Sequence, residues 1–336
     1  MNRALLMIAA AALVAFSLSA CRTAPSHAPT FNDLRDLITM RTEQLAEPGK
    51  MEKLMELLRA MQFTPVELRR IQDSGDVRLL MGAVAVSGAD DPLAPELLRL
   101  VLSRAPDDPA ALAVFAYRAI LFQQQGKTSE PEFLAVLNHW RKLEPENSVP
   151  YYAEAVWRVR GDKFDEAALA LAEASRRPKF DSHCAALRLD VVAAGDFVGY
   201  PKFTARCLAL TFLGETQLGI AGRHCLRWEG ANEQVARDCI VLGNRLEAER
   251  ELMVGELMGL ALQSAAMKKF PQSGNTAELK RIEERQKQFR EILDRISDLS
   301  SRVSEKRFVA FQDEELVGSE VAAEEKLIAE YGDSSK

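Results

Sequence analysis

The sequence has few of the side chains on which most catalytic and metal sites depend. Its 336 residues include only four histidines and five cysteines. No two histidines share a helix face with a glutamate, which is the pattern of helical zinc sites. No glycine-rich phosphate loop follows a strand pattern, and no serine occupies a strand-to-helix elbow. We therefore expect no catalytic residues, no metal and no cofactor, and the sequence does not predict an enzyme.

Excess positive charge and long apolar runs are also missing. The chain carries 43 basic and 49 acidic side chains, a formal net charge of −6, whereas nucleic-acid surfaces need clustered Lys and Arg. The longest apolar run, residues 4–16, has about 13 residues, fewer than the roughly 20 that span a bilayer. Strand-like alternation of apolar and polar residues is absent, and apolar residues recur at helical spacing. The sequence therefore predicts an all-α fold and no nucleic-acid partner.

The first 21 residues follow the order of a bacterial export signal. One positive charge precedes the apolar run, and small or polar residues lead to "LSAC", which ends at Cys21. This segment resembles the lipobox of bacterial lipoproteins, in which a peptidase cuts before a lipidated cysteine. The resemblance implies that residues 1–20 are a signal peptide and that acyl chains on Cys21 anchor the protein to a membrane. Arg22, in place of Asp, implies the outer membrane, with the protein facing the periplasm.

Beyond the anchor the sequence indicates a tether and then helices. Residues 21–30 contain two prolines and no apolar periodicity, so they predict an extended tether of at most about 30 Å. Residues 31–90 predict N-terminal helices at Phe31–Gln44, Lys50–Met61 and Pro65–Asp73, where apolar residues recur three and four positions apart.

Residues 91–250 carry a periodic feature. Four glycines, spaced 35, 34 and 35 residues apart, each separate two helical patterns; they are Gly126, Gly161, Gly195 and Gly230. Glycine suits the residue after a helix end because the left-handed backbone costs it nothing. The segment Pro145–Pro178, with its "GDKFDEA" turn and with Ala167 and Ala174 as small packing residues, resembles the tetratricopeptide repeat (TPR). That resemblance implies an α-solenoid with additional N- and C-terminal helices. A non-repetitive helical bundle is the alternative.

A stack of such repeats places the first helix of each pair on an inner wall. Counting back from the turns places the following residues on that wall: Tyr152, Arg160, His224, Arg227 and Trp228, with Gln123, and with Ala185, Leu189 and Val192 in the third unit. Such a wall fits a helix or extended segment of a protein partner. Alternatively these residues are core, or C-terminal helices fill the groove.

The four cysteines beyond Cys21 allow disulfides, because an exported chain folds in an oxidising compartment. Cys184 with Cys207, and Cys225 with Cys239, lie on helical stretches on either side of turns. Each bridge would add about 3 kcal/mol, and free buried thiols are the alternative. The adjacent pairs His183–Cys184 and His224–Cys225 point in different directions on a helix, so they predict no metal site.

Residues 251–336 predict long C-terminal helices and an acidic tail. Ile282, Phe289, Ile296 and Val303 recur every seven residues, which is typical of a short coiled coil or of a helix that folds back as a cap. Residues 311–336 carry eight acidic and two basic side chains, as in a solvated helix end or a contact for a basic partner.

Together these features predict a membrane-anchored lipoprotein of the cell envelope that acts as a protein–protein interaction scaffold. A structural spacer without a binding groove is one alternative. An envelope enzyme with a site dispersed among its helices is another.

Overall fold

The computed structural model describes residues 49–88, 91–249, 252–299 and 303–332. The expected signal peptide, Cys21, the tether and the predicted helix Phe31–Gln44 lie outside the described residues. Within the described ranges the chain forms helices and no strand, which confirms the all-α prediction. None of the helices in these ranges combines the length and apolar character that crossing a membrane requires.

The α-helices are, in chain order, α1 Lys50–Ala60, α2 Pro65–Ser74, α3 Val77–Ala85, α4 Ala94–Arg104, α5 Pro109–Phe122, α6 Glu130–Leu143, α7 Val149–Arg160, α8 Phe164–Ser175, α9 Cys184–Val198, α10 Lys202–Leu210, α11 Gly214–Arg227, α12 Glu233–Glu249, α13 Met253–Lys269, α14 Thr276–Leu299, α15 Glu305–Val317 and α16 Glu320–Gly332. Short 3-10 turns follow α5 at Gln123–Gln125 and α13 at Pro271–Ser273.

The chain divides into two compact units, each built from separate segments. The first unit contains α1–α4, α9 from Ala185 onward, α10, the end of α14 from Arg290 onward, α15 and α16. The second unit contains α5–α8, α11–α13 and the first part of α14, up to Phe289. The predicted repeat region, residues 91–250, thus supplies helices to both units.

Local signals in the first unit explain where its helices begin and end. Thr64 and Glu67 form a capping box at the start of α2, with the Thr64 backbone N–H donating to Glu67 Oε2 at 2.7 Å. Pro65 takes the first helical position, where its missing N–H costs nothing. Gly75 ends the helix with a left-handed backbone, φ 76°. These signals place α2 at the predicted segment Pro65–Asp73, extended by one residue.

The second unit is organised as helix pairs. Helix α7 packs against α8 across the turn at Gly161–Lys163, α5 packs against α6, and α11 packs against α12. Ala167 and Ala174 on α8 are fully buried, as expected for small residues that let helices approach closely. The core also contains the fully buried aromatic residues Phe115, Tyr117, Phe122, Phe133, Trp140 and Tyr152.

The four spaced glycines do not all end helices. Gly126 adopts the expected left-handed backbone, φ 65°, but at Gly161 the φ is −96° and the neighbouring Asp162 has the positive φ, 57°. The prediction is wrong at Gly195, which lies inside α9, where an added Cβ would be 2.8 Å from the Cβ of Ala205 on α10. This glycine therefore serves helix packing, and the turn comes at Gly199, φ 93°.

Glycines also have a packing role in the long segment Asn232–Met267, whose apolar residues recur at helical spacing and which Gly243, Gly255 and Gly259 interrupt only weakly in the sequence. The segment forms α12 and α13, and these two helices pack closely on each other. A Cβ added at Gly259 would lie 2.4 Å from the carbonyl oxygen of Gly243, and a Cβ added at Gly243 would lie 2.7 Å from that of Gly259. Gly243 and Gly259 therefore mark the crossing point of two backbones.

The heptad stripe lies on α14. Ile282, Phe289, Ile292 and Leu299 are buried, whereas Val303 follows the end of the helix, so the stripe does not run as one helix through Val303. Arg281 forms an ion pair of 2.9 Å with Glu247 on α12. Arg285 forms one of 2.8 Å with Glu256 on α13. The first part of α14 is thus tied to α12 and α13 within the second unit, and the choice between a coiled coil and a cap stays a prediction.

Candidate functional site

Three arginines and one histidine lie near one another in the second unit. Arg160 is the last residue of α7, and Arg223, His224 and Arg227 lie in the last two turns of α11, which packs against α7. Residues 223 and 227 are one helical turn apart and so share a face. Positive charge at the end of a helix is favourable because it faces the negative end of the helix dipole. We call these four residues the cationic cluster.

Burial and the repulsion between neighbouring positive charges lower the pKa values in this cluster. Burial lowers the pKa of Arg160, and burial followed by the charge of Arg227 lowers that of Arg223. The pKa of His224 is lowered by burial and then by Arg227, Arg223 and Arg160, while Asp162 opposes the shift. The charges of these side chains are therefore close enough to interact electrostatically. Any additional positive charge in the cluster would be unfavourable.

Acidic partners do not neutralise this charge. The guanidinium of Arg160 donates from Nη1 to the carbonyl oxygen of Ile120 at 2.8 Å. Across the part of the chain that the structure describes, Arg160, Arg223 and Arg227 form no ion pair. Arg158, two residues before Arg160, differs sharply, because it pairs with Glu154 at 3.1 Å and with two further glutamates. Since His224 and Arg227 are exposed, the cluster can accept an anionic group from solvent.

Aromatic packing borders the cluster. Trp228 follows Arg227 and is half-buried, and its ring stacks on Phe164 at a centroid distance of 6.2 Å and an interplanar angle of 13°. A Cβ at Gly230 would be 2.4 Å from the Trp228 ring, so the indole lies flat on this glycine. Arg160 thus lies at the turn between α7 and α8, and His224, Arg227 and Trp228 lie at the end of α11. The inner wall on which the repeat counting places them stays a prediction.

Tyr152 is not part of an accessible wall, which corrects the prediction. Its side chain is 0% exposed, and its hydroxyl accepts a hydrogen bond of 2.8 Å from Nη1 of Arg245 on α12. Burial raises the pKa of Tyr152 to about 12. The ring also lies 5.9 Å from the ring of Phe180. The face of α7 that carries Tyr152 therefore contributes to the core of the second unit.

The other expected wall residues do not join the cluster. The Gln123 amide donates to the carbonyl oxygen of Trp157 at 3.0 Å, which ties α5 to α7. Ala185, Leu189 and Val192 belong to α9 in the first unit. Arg223, by contrast, is a cluster residue that the sequence analysis missed, although its spacing of four from Arg227 was a usable signal.

The cysteines are free thiols in the structure, which contains neither expected disulfide. Cys184, Cys225 and Cys239 are buried, and Cys239 Sγ donates to the carbonyl oxygen of Gly222 at 3.4 Å. Burial raises the pKa of Cys207 and that of Cys225 to about 12. Because the thiolate is the reactive species, thiols in this state are inert. Free buried thiols, the alternative that the sequence leaves open, are thus the state observed.

A histidine and two carboxylates converge elsewhere in the second unit. His183 Nε2 lies 3.0 Å from Glu144 Oε2, and His183 Nδ1 lies 3.4 Å from Asp181 Oδ1. The same oxygen of Glu144 accepts hydrogen bonds from Trp140 and Asn147. Burial alone would raise the pKa of Glu144, but the hydrogen bonds from Asn147, His183 and Trp140 lower it overall. Donors of the protein itself thus occupy Glu144 Oε2. The contact between His183 and Glu144 holds the segment before α9 against α6.

Comparison of the chain with protein-family models, with curated proteins and with solved structures finds no significant match.

Proposed function

We propose that this chain is a lipid-anchored protein of the bacterial cell envelope that binds other proteins through a TPR-like α-solenoid. The support for the anchor is the sequence "LSAC" and the export signal before it. In this proposal the acyl chains on Cys21 provide the contact with the membrane, and the folded part faces the periplasm from the outer membrane. The protein needs no cofactor and performs no catalysis.

The helix pairs of the second unit support the solenoid. Helix α5 contacts α7 and α7 contacts α11, so the first helices of the pairs adjoin one another, and α8 contacts α12 in the same way. Because α9 and α10 belong to the first unit, the solenoid that we propose consists of α5–α8, α11 and α12, not of four consecutive repeats.

The observation that carries the binding role is the cationic cluster, whose three arginines lack acidic partners among the described residues. The planar guanidinium of an arginine can bind a carboxylate through two parallel hydrogen bonds. Since the chain as a whole carries a net charge of −6, a long polyanion such as nucleic acid is disfavoured. We therefore assign the cluster to an acidic segment of a protein partner, with Trp228 and Phe164 available for apolar contact beside it.

Site-specific photo-crosslinking in cells tests this role. A crosslinking residue at position 224 should capture a discrete envelope protein, and the capture should be lost when Arg223→Gln and Arg227→Gln are combined. Position 237, an exposed arginine on α12 that pairs with Glu233, is the matched control and should give no such product.

A defined probe complements the crosslinking. Purified full-length chain in detergent should bind an oligoglutamate peptide but not oligolysine, with an affinity that falls as salt rises. The Arg223→Gln, Arg227→Gln variant should bind about tenfold or more weakly, since charged hydrogen bonds contribute about 1.5–3 kcal/mol each. Crosslinking and peptide binding that both survive the double variant would remove the cationic cluster as the binding site, whereas a wild-type chain that captures no partner and binds no oligoglutamate would favour the spacer.

A further inference from the structure

Three glutamates meet at the hairpin between α15 and α16 in the first unit. Glu315 lies in the last turn of α15, and Glu320 and Glu324 lie four residues apart on one face of α16. One carboxylate oxygen from each residue lies within 4.8 Å of those of the other two. The acidic tail is thus not only a solvated helix end, because it brings carboxylates together.

Two of these carboxylates are buried without compensation. Glu315 is 6% exposed and Glu324 is 3% exposed. Neither forms a hydrogen bond or an ion pair with any of the described residues, and Glu324 Oε2 is a buried oxygen without a partner. The nearest basic residue along α16, Lys326, instead pairs with Glu314 at 2.9 Å. The hairpin therefore buries the carboxyl groups of Glu315 and Glu324, and no cation of the described residues pairs with either of them.

A buried amide on the same helix as Glu315 also has an oxygen without a partner. Gln312 lies one helical turn before Glu315, is 2% exposed, and its Oε1 has no hydrogen-bond partner within the described ranges. Its Nε2 donates to Sγ of Cys207 on α10 at 3.0 Å. Gln312 and Glu315 are three residues apart and share the face of α15 that packs against α10. The charge of Glu315 also contributes to the raised pKa of Cys207. The unpartnered amide oxygen of Gln312 therefore belongs to the helix face that carries Glu315.

Burying an unpaired carboxylate costs several kcal/mol, and like charges nearby add to that cost. Burial, and then the charges of Glu320 and Glu325, raise the pKa of Glu324 to about 9. A bound cation would remove the cost. An oxygen-only donor set is typical of Ca²⁺, whose ligands lie about 2.3–2.6 Å from the ion, so that two of them are at most about 5 Å apart. The spacing of the three carboxylates meets this limit without rearrangement.

We propose that Glu315, Glu320 and Glu324 bind one divalent cation, with Ca²⁺ as the best fit, and that the Gln312 side-chain oxygen is a fourth donor. Mg²⁺ fits less well because its ligands lie about 2.0–2.1 Å from the ion and it holds its waters tightly. Bound Ca²⁺ would hold α15 and α16 together, because Glu315 on α15 and Glu320 and Glu324 on α16 would bind the same ion.

Calorimetric titration of the EDTA-treated full-length chain in detergent tests the site. CaCl₂ should bind at one site per chain, and the melting temperature should rise with Ca²⁺ concentration because the ion binds only the folded state. Glu324→Gln keeps the shape of the side chain and should weaken Ca²⁺ binding by about tenfold or more, since even outer-shell changes cost 10- to 100-fold. Glu325→Gln, an exposed neighbour that removes the same charge without removing a ligand, is the matched control and should change Ca²⁺ binding far less than Glu324→Gln.

Three results would overturn the site. The first is a wild-type chain that releases no heat with CaCl₂ and shows no rise in melting temperature. The second is a Glu325→Gln variant that binds Ca²⁺ as weakly as Glu324→Gln, which would indicate diffuse attraction by the acidic tail. The third is a Glu324→Gln variant with a higher melting temperature while Ca²⁺ has no effect on the wild type, which would show that the carboxyl groups are simply protonated.

Discussion

Replacing Arg245 by methionine should destabilise the second unit much more than a surface change on the same helix. The guanidinium of Arg245, on α12, donates to the carbonyl oxygen of Ala174 at 2.9 Å and to that of Ser175 at 3.2 Å. It also donates to the carbonyl oxygen of Arg177 and to the Tyr152 hydroxyl. One side chain thus satisfies the exposed carbonyls at the end of α8 and supports a buried tyrosine.

The magnitude follows from these contacts. Methionine keeps the apolar stem of Arg245 but removes every donor. A hydrogen bond to a charged group contributes about 1.5–3 kcal/mol, and a cation at a helix end contributes up to about 2 kcal/mol. These terms overlap, so we expect a loss of about 2–4 kcal/mol in the free energy of unfolding. Arg237→Met removes only the ion pair with Glu233 on the exposed face of α12 and should cost about 0.3–0.5 kcal/mol.

Urea unfolding followed by far-ultraviolet circular dichroism measures the difference. With a denaturant slope of about 1–3 kcal/mol per molar urea, the midpoint for Arg245→Met should fall by roughly 1 M or more, and that for Arg237→Met should hardly move. Equal midpoints for the two variants would refute the reasoning, because they would mean that the end of α8 and Tyr152 do not depend on Arg245.

Further predictions concern the anchor, the packing and the cationic cluster. Cys21→Ala should leave the chain unprocessed or soluble, and normal processing with membrane retention on fractionation would contradict the lipid anchor. Ala167→Trp should lower the free energy of unfolding by about 1–3 kcal/mol through overpacking, whereas Lys163→Ala in the turn should cost little; equal melting temperatures would argue against a helix contact at Ala167. Gly259→Ala should be destabilising because its Cβ would meet the backbone of α12 at 2.4 Å, and a melting temperature at or above that of the wild type would show that this crossing can relax. The pKa of His224 is lowered in the folded chain, so the unfolded chain binds more protons once pH falls below the ordinary pKa of histidine, and the free energy of unfolding should fall in that range. His224→Gln should reduce this pH dependence of the urea midpoint, and an unchanged pH profile would contradict the prediction.

The helices themselves were largely predictable, because they depend on local signals. Apolar spacing and the Thr64–Pro65 start predicted α2, and the glycine spacing with the "GDKFDEA" turn predicted α7 and α8. The same counting places Arg160, His224 and Arg227 on one inner wall, which stays a prediction. The predicted helix starts and turns each depend on residues within one helix or one helix pair, where periodicity is informative.

Features that depend on distant partners could not be predicted. The burial of Tyr152 follows from Arg245, 93 residues later in the chain, and no local pattern signals that contact. Gly195 has the spacing of a turn glycine but fits a helix contact with Ala205. Glu315 and Glu324 belong to a segment whose composition indicates solvation, and only the folding of α16 onto α15 buries them.

The discontinuity of the first unit has a consequence for the order of folding. Tyr200 donates to the carbonyl oxygen of Gln62, 138 residues earlier, and Arg206 pairs with Asp313, 107 residues later, at 2.5 Å. During synthesis from the N-terminus, α1–α4 therefore emerge long before the segments that complete their unit. Such long-range closure is slow, so a nascent chain carries these early helices without their neighbours on α9 and α10 until about residue 200 is made. The unit is complete only when α15 and α16 have followed. A chain cut before residue 290 would retain every segment of the second unit and only part of the first.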